Sequence, residues 1–435
     1  MFAYYSNLAL RSFRRNKVLT ALAVLAIALG IGACMTTLTV FRVLSGDPIP
    51  HKSDRLFYVQ LDAPNMTEYR PGEEPEDQLT RFDAEALLRE ARGVRQALMS
   101  GGYIAVQPAD AARAASFVDS RYTSADFFAM FDVPFAHGRA WTAADDEGRA
   151  RVAVISHELN QTLFGGEDSV GRSLRAGETE FRIVGVLAPW RPVPKFYDLT
   201  TGRFDAVESL FVPFSTAMDE AVKLDTSGNT NCWEQTGGNS RALNAPCAWV
   251  QYWVELASPA DAADYRAYLT NYSAQQRAAG RFQRPDNVRA RSVMEWLEFN
   301  EVVPSDVRLQ VWLAFAFLAV CLVNTVGLLL AKCLRRAPEI GVRRALGAPR
   351  RAIFAQFLVE AGAIGLAGGL AGLLLALLGL WAVRQQPAAY AKLAQLDATM
   401  LATTFAFAVA ASLIAGVLPA WRAMRITPAI QLKSQ

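Results

Sequence analysis

The chain has 435 residues, 52% of them hydrophobic and 20% charged, with a formal net charge of +3. That length leaves room for two or three folding units, and so high an apolar fraction is unusual for a purely soluble protein. Five cysteines are too few for a disulfide-rich scaffold, and a charge this close to balance gives no ground for a nucleic-acid partner.

Residues 1–17 set Tyr5, Leu8 and Phe13 against Arg11, Arg14, Arg15 and Lys17, the pattern of a cytoplasmic interfacial helix whose basic side chains snorkel to headgroups. From Val18 to Phe41 no residue is charged, enough chain to cross the roughly 30 Å hydrocarbon core, so 18–44 is predicted as a first transmembrane helix. The run exceeds the usual signal-peptide core, and no A-x-A-like cleavage site follows it, so the span is expected to be retained. Ala26 with Gly30, and Ala28 with Gly32, are spaced for close helix contact.

Residues 45–310 are rich in charges and turn formers and hold no span, so they form a domain outside the cytoplasm if the first span has its amino end inside. Strand character is predicted at Leu56–Leu61, Arg151–Ile155, Phe181–Val186, Leu210–Pro213 and Trp249–Leu256. Helical periodicity is predicted at Asp83–Ala97, Ser156–Leu163, Pro259–Arg277 and Val293–Phe299, giving an α+β class. Tyr122–Phe128, followed by Gly138-Arg139, reads as a capped helix and then a turn. Residues 219–248 are rich in Gly and polar residues and contain Cys232 and Cys247, the two candidates for a bridge; two unpaired thiols are the alternative. Closing such a loop contributes roughly 3 kcal/mol on the chain-entropy model. Polar loops of this kind are where binding specificity often resides.

Residues 311–331 form a second predicted span, 353–383 a third and 400–418 a fourth, joined by a periplasmic loop at 384–399 and followed by a basic cytoplasmic tail at 419–435. In the third span Gly365 with Gly369, and Gly368 with Gly372, have GxxxG spacing, and Glu360 is its only acid. An intramembrane carboxylate is a functional candidate by default; a structural or coupling role, with Arg350 and Arg351 within reach, fits better than ion translocation.

The loop 332–352 carries Lys332, Arg335, Arg336, Arg343, Arg344, Arg350 and Arg351 against the single carboxylate Glu339, which places it on the cytoplasmic side. Charge alone is satisfied by a solvated loop that only sets topology. The run Glu339-Ile340-Gly341-Val342-Arg343-Arg344-Ala345-Leu346-Gly347-Ala348 resembles the cytoplasmic signature of the MacB/FtsX-type permeases of ABC transporters. The order Val152–Ser156, Leu163–Arg172 and Phe181–Val186 is similar to that family's periplasmic core domain, and the tail after Leu418 resembles its closing motif. The resemblance covers nearly the whole chain. It implies an α-helical membrane protein with four transmembrane helices and a large α+β extracytoplasmic domain between the first and second spans. That domain would have two lobes, 51–115 with 250–300, and 116–249.

It further implies that residues 339–347 form a coupling helix on an ABC-type ATPase, with Arg343 and Arg344 meeting that partner and Ile340 and Leu346 filling its apolar groove. A second permease subunit, the same or related, is implied, and in export systems a periplasmic adaptor and an outer-membrane channel. The expected setting is the bacterial inner membrane. ATP hydrolysis would be transmitted to the periplasmic lobes (mechanotransmission) for export of a peptide, antibiotic or similar substrate. A lipoprotein-releasing or cell-wall-hydrolase-regulating permease shares this architecture, and a membrane-anchored sensor without ATPase coupling is the reading from another class. No G-x-x-x-x-G-K-[ST] occurs in the sequence, and His51, His137 and His157 lack metal-ligand spacing. The chain is therefore not expected to be an enzyme or to hold a cofactor or metal; ATP and Mg belong to the partner.

Overall fold

The computed structural model describes residues 17–108, 115–222, 224–387, 390–395 and 398–425. The predicted interfacial helix over 1–17 lies, apart from Lys17, outside these residues, as does the tail beyond Arg425. The chain divides into two units, Gly46–Val302 and the segments before and after it.

The second of these units consists of α1 (Lys17–Ser45), α2 (Ser305–Arg335), α3 (Ala337–Ala345), α4 (Arg350–Arg384) and α5 (Ala398–Met424). Four of the helices, all but α3, are long and apolar enough to cross a membrane. Each outruns its predicted span, because terminal Lys and Arg are good helix formers and do not end a helix. The loop expected at 332–352 is mostly helical for the same reason. α2 continues through Lys332 to Arg335, and Pro338, at the start of α3, begins a new helix where its missing N–H is no loss. Small residues set the packing. A Cβ on Gly30 would meet Leu318 Cδ1 of α2 at 2.9 Å, and one on Gly32 would meet Leu375 Cβ of α4 at 2.8 Å. The two GxxxG pairs of α4 face different neighbours. Gly368 and Gly372 lie against Ile27, Ala28 and Ile31 of α1, while Gly365 and Gly369 lie against Ser412 and Ala408 of α5. Ala23, Ile27, Ile31, Ala361, Ile364 and Ala408 are buried where these helices meet.

The unit Gly46–Val302 is built on a 13-stranded sheet: β1 (Leu56–Leu61), β2 (Leu79–Thr80), β3 (Arg95–Pro108), β4 (Ser116–Thr123), β5 (Phe135–Gly138), β6 (Val152–Ile155), β7 (Ser173–Ala176), β8 (Thr179–Leu187), β9 (Leu210–Pro213), β10 (Thr226–Ser227), β11 (Asn231–Cys232), β12 (Cys247–Glu255) and β13 (Val288–Ser292). The main order is β13-β1-β12-β3-β4-β9-β6-β8-β5. β3 joins the halves: Arg95–Met99 pairs with β12, and Met99–Val106 pairs with β4. Strand β12 is buried along its whole length, as a central strand covered on both faces must be.

The helix expected over Asp83–Ala97 is instead Arg81–Glu90, after which the chain turns and becomes β3. Ala91 takes the left-handed conformation at φ 50°, and a Cβ on Gly93 would collide with Val254 of β12. The stop is therefore a capped turn packed on a distant strand, which periodicity cannot register. In the expected capped helix at Tyr122–Phe128, Tyr122 and Thr123 end β4 instead, and only Asp126–Met130 is helical.

Candidate functional site

Helix α3 carries Glu339 in its first turn and Arg343 and Arg344 in its last, the favourable arrangement for the helix dipole. Its inner face is Ala337, Ile340 and Gly341, all buried. Ile340 packs with Cys333, Ile353, Phe357, Ala420 and Ala423, so it fills this chain's own core and not a partner's groove. The exposed apolar residues are Val342, at 52% exposure, and Leu346, at 83%, with exposed Ala345 beside them at helical spacing. Gly347, at φ +95°, turns the chain toward α4.

The arginines of the segment are engaged within the chain. Arg343 pairs with Glu339 at 2.9 Å and donates to Gln356 Oε1 at 3.2 Å. Arg344 donates to the carbonyl of Met424 at 3.2 Å. Nearer the bundle, Arg336 reaches Glu339 at 3.4 Å and Glu360 at 3.1 Å. Lys332 closes the chain of charges by pairing with Glu360 and donating to Thr20 Oγ1 of α1 at 3.1 Å. Glu360 therefore takes Lys332 and Arg336 as partners, in place of the expected Arg350 and Arg351. Those two lie about 14 Å back along α4 at 1.5 Å per residue, and both are exposed. A continuous path of ion pairs thus runs from the exposed helix α3 into the packed helices, where Lys332 and Glu360 are both buried. Such pairs are directional and, once desolvated, resist separation.

In the other unit, Cys232 and Cys247 are joined by a disulfide across the paired strands β11 and β12. The loop they close forms one wall of a cleft. Its larger part, about 840 Å³, is lined by Arg81, Arg149, Met218, Leu224 and Arg241 among others. An adjoining part of about 380 Å³ contains Glu85, Ser124, Asp146 and Phe214. Burial pushes the Asp146 carboxyl up to about 6, against hydrogen bonds from Ala125 N–H and Trp141 Nε1 that favour its charged form.

Deeper in the sheet, Arg121 of β4 is fully buried, and its Nη2 pairs with both Asp198 and Glu208. Lys195 binds Glu208 at 3.2 Å, Tyr197 Oη donates to Glu208 at 2.8 Å, and Gln251 Nε2 donates to Asp198 at 2.8 Å. Burial alone would raise the Asp198 carboxyl, but Arg121 and Lys195 hold it well below the usual range. Sequence reading missed this network; its members come from β4, β12 and the connection between β8 and β9, and carry no spacing signal. Among the described residues no group of three or more His, Cys, Asp or Glu could hold a metal ion.

Residues 20–272 match the MacB-like periplasmic core domain, and residues 311–428 match the FtsX-like permease C-terminal family. Over 97% of its length the chain is 26% identical to the pyoverdine export ATP-binding/permease protein PvdT of Pseudomonas syringae pv. tomato, covering 58% of that protein. Over 98% it is 25% identical to the macrolide export ATP-binding/permease protein MacB of Azoarcus sp., covering 59% of it. The chain thus spans less than two thirds of the length of these relatives. The crystal structure of the periplasmic region of MacB from Actinobacillus actinomycetemcomitans aligns with a TM-score of 0.38 and 11% identity, covering 60% of this chain and 98% of that one. With one family matched across the α+β domain and the other across the later helices, the chain belongs to the MacB/FtsX-type permeases of ABC transporters, multi-pass membrane proteins with an extracytoplasmic domain.

Proposed function

We propose that this chain is the membrane-spanning subunit of a MacB-like exporter in the bacterial inner membrane, driven by a separate ABC-type ATPase that docks on α3. The domain 46–302 then stands in the periplasm between the first and second spans, with its two lobes meeting along β3. Two such subunits pair, and a periplasmic adaptor and outer-membrane channel complete the export path. The cargo is a peptide, an antibiotic or a siderophore-like molecule, the class suggested by relatives named for pyoverdine and macrolide export.

The observation that carries this reading is the two-sidedness of α3. Its outer face offers Val342, Ala345 and Leu346, while its inner face is tied to Glu360 through Glu339 and Arg336. A surface of exposed apolar residues flanked by charge fits a partner groove. A push on that surface is carried by the ion pairs into α2 and α4, which is what mechanotransmission requires.

Of the two apolar docking residues expected, Leu346 is kept and Val342 takes the place of Ile340, with Arg343 and Arg344 holding the segment in place. A Val342→Asp/Leu346→Asp variant of the full chain should lose at least tenfold in affinity for its ATPase, about 1.4 kcal/mol. Co-purification and stimulated ATP hydrolysis in the reconstituted complex measure this. Full recruitment by that variant would return the segment to a topology signal.

A further inference from the structure

The cleft behind the disulfide-closed loop has a feature that its own fold does not use. Its larger part is lined by three guanidinium groups, Arg81, Arg149 and Arg241, and two carboxylates, Asp219 and Glu220. Arg149 is committed to Asp219 at 3.2 Å, and Arg81 to Glu85 at 2.7 Å. Arg241 differs. Its guanidinium lies over the ring of Trp249, 4.3 Å from the centroid, and its Nη1 is buried without a hydrogen-bond partner among the described residues. Stacking on an aromatic face leaves the in-plane N–H groups of an arginine available to donate, the planar fork that suits a carboxylate.

Arg241 is also held in position. Its backbone N–H donates to Asn239 Oδ1 at 3.0 Å, and its carbonyl accepts from Arg81 Nη1 at 3.1 Å. The disulfide closes the loop on either side of it, so the group is positioned before any ligand arrives. Around it, Met218, Leu224, Ala242 and Leu243 supply an apolar lining. A volume of about 840 Å³ falls within the range of sites for small organic ligands. Burial depresses the affinity of Arg241 for its own proton.

We infer that this cleft binds an amphipathic organic carboxylate, its oxygens on Arg241 and its apolar part against Met218, Leu224 and Leu243. A peptide carboxyl end and a fatty acid share this chemistry. The inference concerns binding by the domain and does not depend on the docking of an ATPase.

The full chain in lipid nanodiscs is titrated calorimetrically with N-acetyl-Leu-Leu, with its carboxamide, and with dodecanoate below its micellar limit, each corrected against empty nanodiscs. At least one of the two carboxylates should bind. If N-acetyl-Leu-Leu binds, its carboxamide should bind at least tenfold more weakly, and the tighter carboxylate assigns the source as peptide or lipid. Arg241→Gln should lower carboxylate affinity at least tenfold, and Arg241→Lys should restore part of it. Equal binding of acid and amide, binding of neither carboxylate, or undiminished binding by Arg241→Gln would overturn the assignment. Should Arg241→Gln fail to fold, the measurements on the native chain still decide. Because no ATPase is present, a failure here is separate from a failure of the transport reading.

Discussion

Around Arg121 two cations and two carboxylates come together from β4 and from the chain between β8 and β9, whereas around Glu360 the charges are strung along consecutive helices. The first set is closed on itself, with only Arg121 Nε left buried without a hydrogen-bond partner among the described residues. Arg121 and Lys195 are matched by Asp198 and Glu208, and Tyr197, Thr201 and Gln251 take up further polar atoms. The second is a relay, in which Arg343, Glu339, Arg336, Glu360 and Lys332 pass from an exposed helix to a buried one. Both place charge where water is scarce, which costs several kcal/mol per ion unless the partners are well placed. A closed network serves rigidity. A linear one, anchored at the surface proposed to dock an ATPase, can carry displacement.

The largest effect should follow from breaking the closed network. Arg121→Met leaves Asp198 and Glu208 buried without their main partner and should destabilise the domain by about 3–5 kcal/mol. Denaturant unfolding followed by the fluorescence of the buried Trp249 and Trp253 measures it. Replacing Arg121, Lys195, Asp198 and Glu208 together by apolar residues should recover most of the loss, and a single Arg121→Met variant of native stability would dissolve the contrast. Next in size is Glu360→Gln, which strips the buried Lys332 of its carboxylate and should cost about 3 kcal/mol in the helical unit. Unfolding in mild detergent, compared with a Lys332→Met/Glu360→Leu double variant, separates lost charge from lost packing. The double variant should regain stability yet, in complex with the proposed ATPase, show uncoupled ATP hydrolysis; normal coupling there would remove the relay from the proposed mechanism.

The smallest effect sharpens the electrostatics of the domain. The folded pKa of Asp146, about 6, lies above the ordinary 3.8, so its contribution is fully present below about pH 3.8 and is lost as pH rises through 6. Asp198 runs the other way; its depressed value contributes above its ordinary range and is lost in strong acid. Between pH 4 and 7 the domain should therefore lose about 2 kcal/mol through Asp146. Denaturant midpoints for wild type and Asp146→Asn across that range check it; parallel slopes would assign the pH dependence to other groups.

The four apolar helices could be read from sequence because crossing a bilayer takes a long uncharged run, a local property of composition. The family resemblance was likewise local, carried by contiguous motifs such as Glu339–Ala348. Strands Leu56–Leu61 and Leu210–Pro213 were predicted with the boundaries observed, since each is a short apolar run. Strand β3 was missed: Gly101 and Gly102 interrupt its pattern, Tyr122 from the next strand occupying the space a Gly102 side chain would take and Ser227 of β10 standing against Gly101.

What the sequence by itself determined, then, was the family, the class and the presence of a charged segment with interspersed apolar residues at 339–347. Only the tertiary structure decided which face was which. Ile340 and Leu346 are both apolar and equally suited to a groove, but the packing of α2, α4 and α5 covers one and leaves the other bare. The same holds for Glu360, whose partners come from a neighbouring helix, and for Arg121, whose partners lie 77 to 130 positions away. Periodicity shows that a face exists, and the cost of burying a charge shows that it needs a partner. Which residue arrives there is set by chain segments that meet only in the folded state.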